Sequence, residues 1–93
     1  MYYVVVYDIA NSKNRTKLST LLDMYGTRVN YSVYECEFSK KEIEKLLYEI
    51  DLQKLINKKY DSLRFYNIHQ NSIQKSFEFA KRADPFESLE MFV

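Results

Sequence analysis

Tyr2 to Ile9 (YYVVVYDI) is a nearly unbroken run of β-branched and aromatic residues, too short for a helix, and it reads as a buried strand. From Asn11 the spacing changes: Leu18, Leu21, Leu22 and Tyr25 recur at helical intervals, Asn11 or Ser12 can cap the start, and Gly26 supplies a left-handed stop. Arg28 to Phe38 alternates, with Val29, Tyr31 and Val33 on one side and Tyr34, Cys36 and Phe38 on the other. That is strand, and two strands if it bends into a hairpin. Ser39 and Glu42 form a capping box ahead of one apolar stripe, Ile43, Leu46, Leu47 and Ile50. Leu52, Leu55 and Ile56 are out of phase with that stripe, so the helix is expected to break near Asp51 and restart as a short turn. Ser62 to Ile68 reads as another strand. In the polar stretch His69 to Asp84, Ile73, Phe77 and Ala80 keep helical spacing, and beyond Pro85 the ending FESLEMFV alternates as a last strand near 86–92.

With a hairpin in the middle the order is βαββαβ, an α+β sandwich of the ferredoxin-like type over residues 1–68, followed by an extension over 69–93. Two helices cover only one face of such a sheet. Yet the first strand is apolar on both sides, with Tyr3, Val5 and Tyr7 on one and Val4 and Val6, alongside Asp8, on the other. A second copy of the sheet is the expected cover, which predicts a two-fold homodimer. The alternative is that the extension folds over the open face of its own chain.

Composition narrows the picture. Ninety-three residues, 46% of them hydrophobic, with one Gly and one Pro, are enough for one packed domain and exclude a second. Fourteen basic residues against thirteen acidic give a net charge of +1, so any nucleic-acid site has to be a local arrangement. The single Cys36 rules out an internal disulfide. The opening MYYVVVYDI has neither the charged region nor the cleavage site of a signal peptide, and Asp8 interrupts the apolar run; a cytoplasmic chain with no membrane segment is expected.

Asp8 is the anomaly of the first strand, a carboxylate at the end of an apolar side. It needs a cation, a hydrogen-bonding cap or solvent. As a bare residue it reads most simply as a cap for the turn through Ile9, Ala10 and Asn11. Lys13, Arg15 and Lys17 follow in the first turns of the next helix, where cations oppose the helix dipole but, with free N–H groups, make an anion-binding end. The bland reading is a solvated charged face. Arg28 can join them only if the fold brings it there. A carboxylate holding a divalent ion beside cations holding a phosphate is the minimum equipment for metal-assisted phosphodiester cleavage, and a dimer axis near Asp8 doubles the carboxylate. Cys36, between Glu35 and Glu37, reads as a buried hydrophobe rather than a nucleophile. His69 lacks a carboxylate partner in sequence and carries little signal as a base.

The strand ending in Tyr7 and Asp8, Arg15 and Lys17 in the helix after it, and the run GTRVNYSVYE from Gly26 to Glu35 closely resemble the second of the core CRISPR-associated protein families, the small adaptation endoribonucleases. The resemblance covers residues 1–68. It implies a homodimer with facing sheets, in which a C-terminal strand of each subunit, here FESLEMFV, joins the sheet of its partner. It further implies one Mg²⁺ bound between the two Asp8 carboxylates, and activity-associated roles for Tyr7, Arg15, Arg28 and Tyr34. Asn30 stands where Gln is usual, and Lys17 where some members carry Arg, whose bidentate phosphate fork Lys cannot make. The implied cellular role is spacer acquisition, with the dimer bridging dimers of the spacer integrase and holding the new DNA segment. Members are known to cut single-stranded RNA, double-stranded DNA, or neither.

Two functions follow as expectations. One is a Mg²⁺-dependent endonuclease on RNA or DNA, with Asp8 holding the ion and Lys13, Arg15, Lys17 and Arg28 binding nucleic acid. The other is a non-catalytic adaptor that bridges DNA, with Asp8 structural. A toxin-type ribonuclease of similar fold is a lesser alternative. An RNA-recognition module would need a basic-Gly-aromatic motif on the third strand, which YSVYECEF lacks.

Overall fold

The computed structural model describes residues 1–80 and 83–87. The elements are β1 (Tyr2–Asp8), α1 (Ser12–Leu22), β2 (Gly26–Asn30), β3 (Val33–Glu37), α2 (Lys40–Leu52), β4 (Ser62–Ile68) and a short α3 (Gln70–Lys75). The strands lie in the order β2-β3-β1-β4, every neighbouring pair antiparallel, which is the ferredoxin-like arrangement. The most apolar strand, β1, therefore lies between β3 and β4. The middle region is a hairpin that turns at Tyr31 and Ser32, with a bulge between Arg28 and Asn30.

Both long helices lie on one face. Val5, Tyr7, Tyr34, Cys36 and Phe38 from the sheet side meet Leu18, Leu22, Leu46, Ile50 and Leu55, all buried. Leu47 was expected in the α2 stripe but is 43% exposed, so the buried stripe is narrower. The break near Asp51 takes the form of a Schellman closure: Lys54 N–H donates to Asp51 O at 3.1 Å and Leu55 N–H to Ile50 O at 3.1 Å, with Lys54 left-handed at φ 53. The reversal turns Leu55 back into the core, which explains why its phase departs from that of the helix.

Gly26 does not stop α1. The helix ends at Asp23 in ordinary right-handed geometry, and no glycine has a positive φ. Gly26 instead opens β2, where a Cβ would overlap the Glu35 carbonyl oxygen and lie 2.7 Å from Cys36 Cα. Close approach of two strands, not a left-handed turn, requires glycine there.

The other face of the sheet carries Val4, Val6 and Val33, all partly buried, with Arg64 and Tyr66 exposed beside them. Part of its cover comes from the same chain. Phe86, 3% exposed, sets its ring edge-on to Tyr2 at 5.5 Å, and its N–H donates to Glu35 Oε1 at 3.0 Å. The helical spacing of Ile73, Phe77 and Ala80 is not realised: α3 ends at Lys75, Ser76 is extended, and Phe77 is exposed. Asn71, Ser72 and Ser76 are poor helix formers, and Ile73 alone of that set is buried. Most of the last strand expected near 86–92 lies outside the described residues. At its start the chain turns, with Phe86 at φ 62 and Glu87 N–H donating to Asp84 O at 3.0 Å. No helix among the described residues is long and apolar enough to cross a membrane.

Candidate active site

Asp8 ends β1 opposite Ser62, exposed, on the face away from the helices. It does not cap the turn that follows. That task falls to three other side chains: Asn11 Oδ1 accepts from Asn14 N–H at 2.9 Å to start α1, Arg15 Nη1 donates to Ile9 O at 2.9 Å, and Asp61 Oδ1 accepts from Ala10 N–H at 3.1 Å. The Asp8 carboxylate makes no hydrogen bond or ion pair among the described residues. The turn is thus closed without it, and its oxygens are left to water or a cation.

Tyr7, the neighbouring residue, points the opposite way. Its ring is buried 6.3 Å from that of Tyr34, and its hydroxyl donates weakly to Tyr31 O at 3.4 Å. Tyr34 is fully buried, and its hydroxyl donates to Asp23 Oδ1 at 2.7 Å, with Ser19 O also near at 3.2 Å. Arg28, opposite Tyr34 on β2, donates from Nε to that same hydroxyl at 3.3 Å and places its guanidinium 5.6 Å from the ring centroid. Burial raises the Tyr34 phenol above its ordinary value, and the hydrogen bond to Asp23 adds to the rise. The Arg28 guanidinium is raised further by its bond to Tyr34. This is a hydrogen-bonded chain from Arg28 through Tyr34 to Asp23 at the C-terminal end of α1.

The five residues expected at the catalytic centre therefore do not converge within one chain. Arg28 stands two strands from β1, roughly 10 Å by the spacing of a sheet, and on the opposite face from Asp8. Nor does Arg28 reach the basic start of α1, since Ser19 and Asp23 are at the other end of that helix. Of the basic group there, Arg15 is tied to Ile9, while Lys13 and Lys17 are exposed with no partner among the described residues.

His69 is engaged as the N-cap of α3, with Nδ1 accepting from Asn71 N–H at 3.1 Å. Burial first, and Glu35 second, push the Cys36 thiol up to about 12, which makes it inert at neutral pH. Asp23 and Asp61 were not singled out by sequence. Asp23 carries a weak signal, a carboxylate at the negative end of a helix where the dipole disfavours it. Among the described residues no group of three His, Cys, Asp or Glu side chains is placed to hold a metal ion. A hard cation that keeps most of its waters needs only one or two carboxylates, so Asp8 fits as a partial ligand that a second copy would complete.

The family model described as CRISPR associated protein Cas2 matches residues 1–76. CRISPR-associated endoribonuclease Cas2 3 of Synechocystis sp. is 41% identical over 71 residues, 76% of this chain and 75% of the relative. The crystal structure of Streptococcus pyogenes Cas2 at pH 6.5 superposes with a TM-score of 0.69 and 31% identity, covering 81% of this chain and 94% of that one. A chain of a partial Cas6-RT-Cas1–Cas2 complex superposes with a TM-score of 0.64 and 32% identity, covering 85% of this chain and 90% of that one. With a family match over most of its length and this degree of likeness in sequence and fold, the chain belongs to the CRISPR-associated Cas2 family.

Proposed function

We propose that this chain serves CRISPR spacer acquisition as a cytoplasmic homodimer with Mg²⁺-dependent endonuclease activity on RNA or DNA. The observation that carries the catalytic reading is the free carboxylate of Asp8, held on a turn that other side chains close. The relative's name, an endoribonuclease, supports cleavage, and the complex containing a Cas1–Cas2 pair supports a spacer integrase as partner. The partly buried Val4 and Val6 support a second copy over the part of that face that Phe86 does not cover.

In this reading the two Asp8 carboxylates hold the ion between the subunits. Bound there, Mg²⁺ lowers the pKa of a coordinated water and offsets charge developing on the phosphate. Arg15 contributes by fixing the Ile9 carbonyl next to Asp8. Tyr7 anchors β1 in the core, and Tyr34 orients Arg28, whose Nη donors have no partner among the described residues and can face a phosphate. Lys13 and Lys17 add attraction for the backbone of double-stranded DNA or single-stranded RNA.

The test compares wild type and Asp8→Asn, prepared identically, on RNA and DNA with and without Mg²⁺. Because Asp8 is exposed and unpartnered among the described residues, the substitution should leave stability within about 0.5 kcal/mol. Cleavage should fall at least a hundredfold; undiminished Mg²⁺-dependent cleavage by Asp8→Asn defeats the catalytic reading.

A second reading, a non-cutting adaptor that bridges DNA within the integration complex, is favoured by a different observation: Arg28 and Tyr34 are engaged in the fold on the face opposite Asp8. For an adaptor, Asp8→Asn leaves integration of a DNA segment intact. Reversing Lys13 and Lys17 to Glu instead weakens DNA binding and flattens its salt dependence.

A further inference from the structure

We infer that Asp61 is a positioning residue for Asp8, an inference that rests on the reading of Asp8 as a metal ligand. Asp61 stands one residue before β4, and the last register pair of β1 with β4 is Asp8 with Ser62. Beyond that pair the ladder ends, so nothing in the sheet holds the backbone after Asp8. Asp61 takes over at that point. Its Oδ1 accepts from Ala10 N–H at 3.1 Å, its Oδ2 accepts from Asn57 N–H at 2.8 Å, and its own N–H donates to Asn57 O at 2.8 Å. Both oxygens and the amide are engaged, so the side chain is locked in one arrangement before it reaches across to the β1–α1 turn. Arg15 holds the preceding carbonyl from the helix side at 2.9 Å, so the turn is gripped by a carboxylate on its N–H and a guanidinium on its C=O.

The consequence for Asp8 is entropic. A terminal strand residue with an exposed side chain frays, and a ligand on a frayed turn loses freedom when it binds an ion. With Ala10 fixed, that loss is taken during folding instead. Outer partners of metal ligands change affinity by about tenfold to a hundredfold when removed. Acting through the backbone, Asp61 belongs at the lower end.

The experiment is Mn²⁺ binding to the full-length protein, followed by electron paramagnetic resonance, with Asp8→Asn as the reference for the site. Asp61→Ala should weaken Mn²⁺ about tenfold, and Asp61→Ser, whose side chain is also too short to reach Ala10, takes its place if the alanine variant does not melt cooperatively. Asn57→Ala loosens the same loop by removing the acceptor for Lys59 N–H, 2.9 Å away, without touching Ala10, and should leave affinity unchanged.

Wild-type affinity in Asp61→Ala and Asp61→Ser overturns the inference while the metal reading stands. It is equally overturned if Asn57→Ala is as weak as Asp61→Ala, because the looseness of the loop rather than the contact to Ala10 then matters. Mn²⁺ binding that Asp8→Asn does not diminish overturns the metal reading itself, and the inference with it.

Discussion

Replacing Tyr34 with Phe removes one oxygen from the centre of the Arg28–Tyr34–Asp23 chain and keeps the shape of a fully buried ring. The magnitude depends on what is left behind. Ser19 O already accepts from Asp23 N–H at 2.9 Å, and the Asp23 and Arg28 side chains belong to exposed residues that water can reach. No buried polar group is orphaned, so the cost is that of a net hydrogen bond, about 1 kcal/mol, rather than the ~3 kcal/mol of an unsatisfied one. For a domain of this size that is about 5 °C in Tm. Asp23 sharpens the test. Its carboxylate opposes the α1 dipole, so Asp23→Ala loses the bond to Tyr34, about 1 kcal/mol, regains a few tenths from the dipole, and should cost about 0.7 kcal/mol. In the Tyr34→Phe background only the gain remains, and the same substitution should stabilise. Urea unfolding followed by circular dichroism at fixed protein concentration measures all four corners of the cycle, with an expected coupling of about 1 kcal/mol. A Tyr34→Phe protein within about 0.3 kcal/mol of wild type, or an Asp23→Ala effect equal in both backgrounds, refutes the network as a stabilising unit.

The Cys36 thiol is raised from 9.0 to about 12 in the folded protein, so the unfolded chain gives up its proton first: stability is full below pH 9 and falls as pH climbs toward 12. The slope from this group is at most about 1.4 kcal/mol per pH unit, and Cys36→Ala should flatten the alkaline limb of Tm against pH; an unchanged limb counts against the assignment. Gly26→Ala forces a methyl onto the Glu35 carbonyl and should destabilise by about 3 kcal/mol, read from urea melts; a neutral result would show that β2 can move away from β3. Lys54→Gly relieves a left-handed non-glycine residue in the α2 closure and should add about 0.5–1 kcal/mol, with a fall in Tm as the contrary result.

Much of the fold could be read directly. The β1 run, the α2 capping box, the inward set Tyr34, Cys36 and Phe38, and the order βαββαβ all rest on local periodicity, which the backbone obeys whatever surrounds it. Where reading failed, a neighbour distant in sequence had decided the outcome. Gly26 was expected as a helix stop because glycine commonly ends helices, yet the contact that requires it is with Glu35 and Cys36 across the hairpin. Ile73, Phe77 and Ala80 kept a helical spacing without enough helix-forming residues or a surface to pack on.

The candidate site divides along the same line. Alternation along a strand is a local property, so the chain's own letters were enough to put Asp8 and Tyr7 on opposite faces of β1. Which residue closes the turn after Asp8 is not a local property. Asn11 and Arg15 are neighbours, but the contact to Ala10 comes from Asp61, fifty-one residues away, and exists only because β4 pairs with β1 in that register. In the same way Arg28 finds Tyr34 rather than the lysines of α1 because the hairpin register sets them opposite each other. Periodicity says which way a side chain points; only the packed fold says what it meets there, and that meeting freed the Asp8 carboxylate from the turn it was first expected to cap.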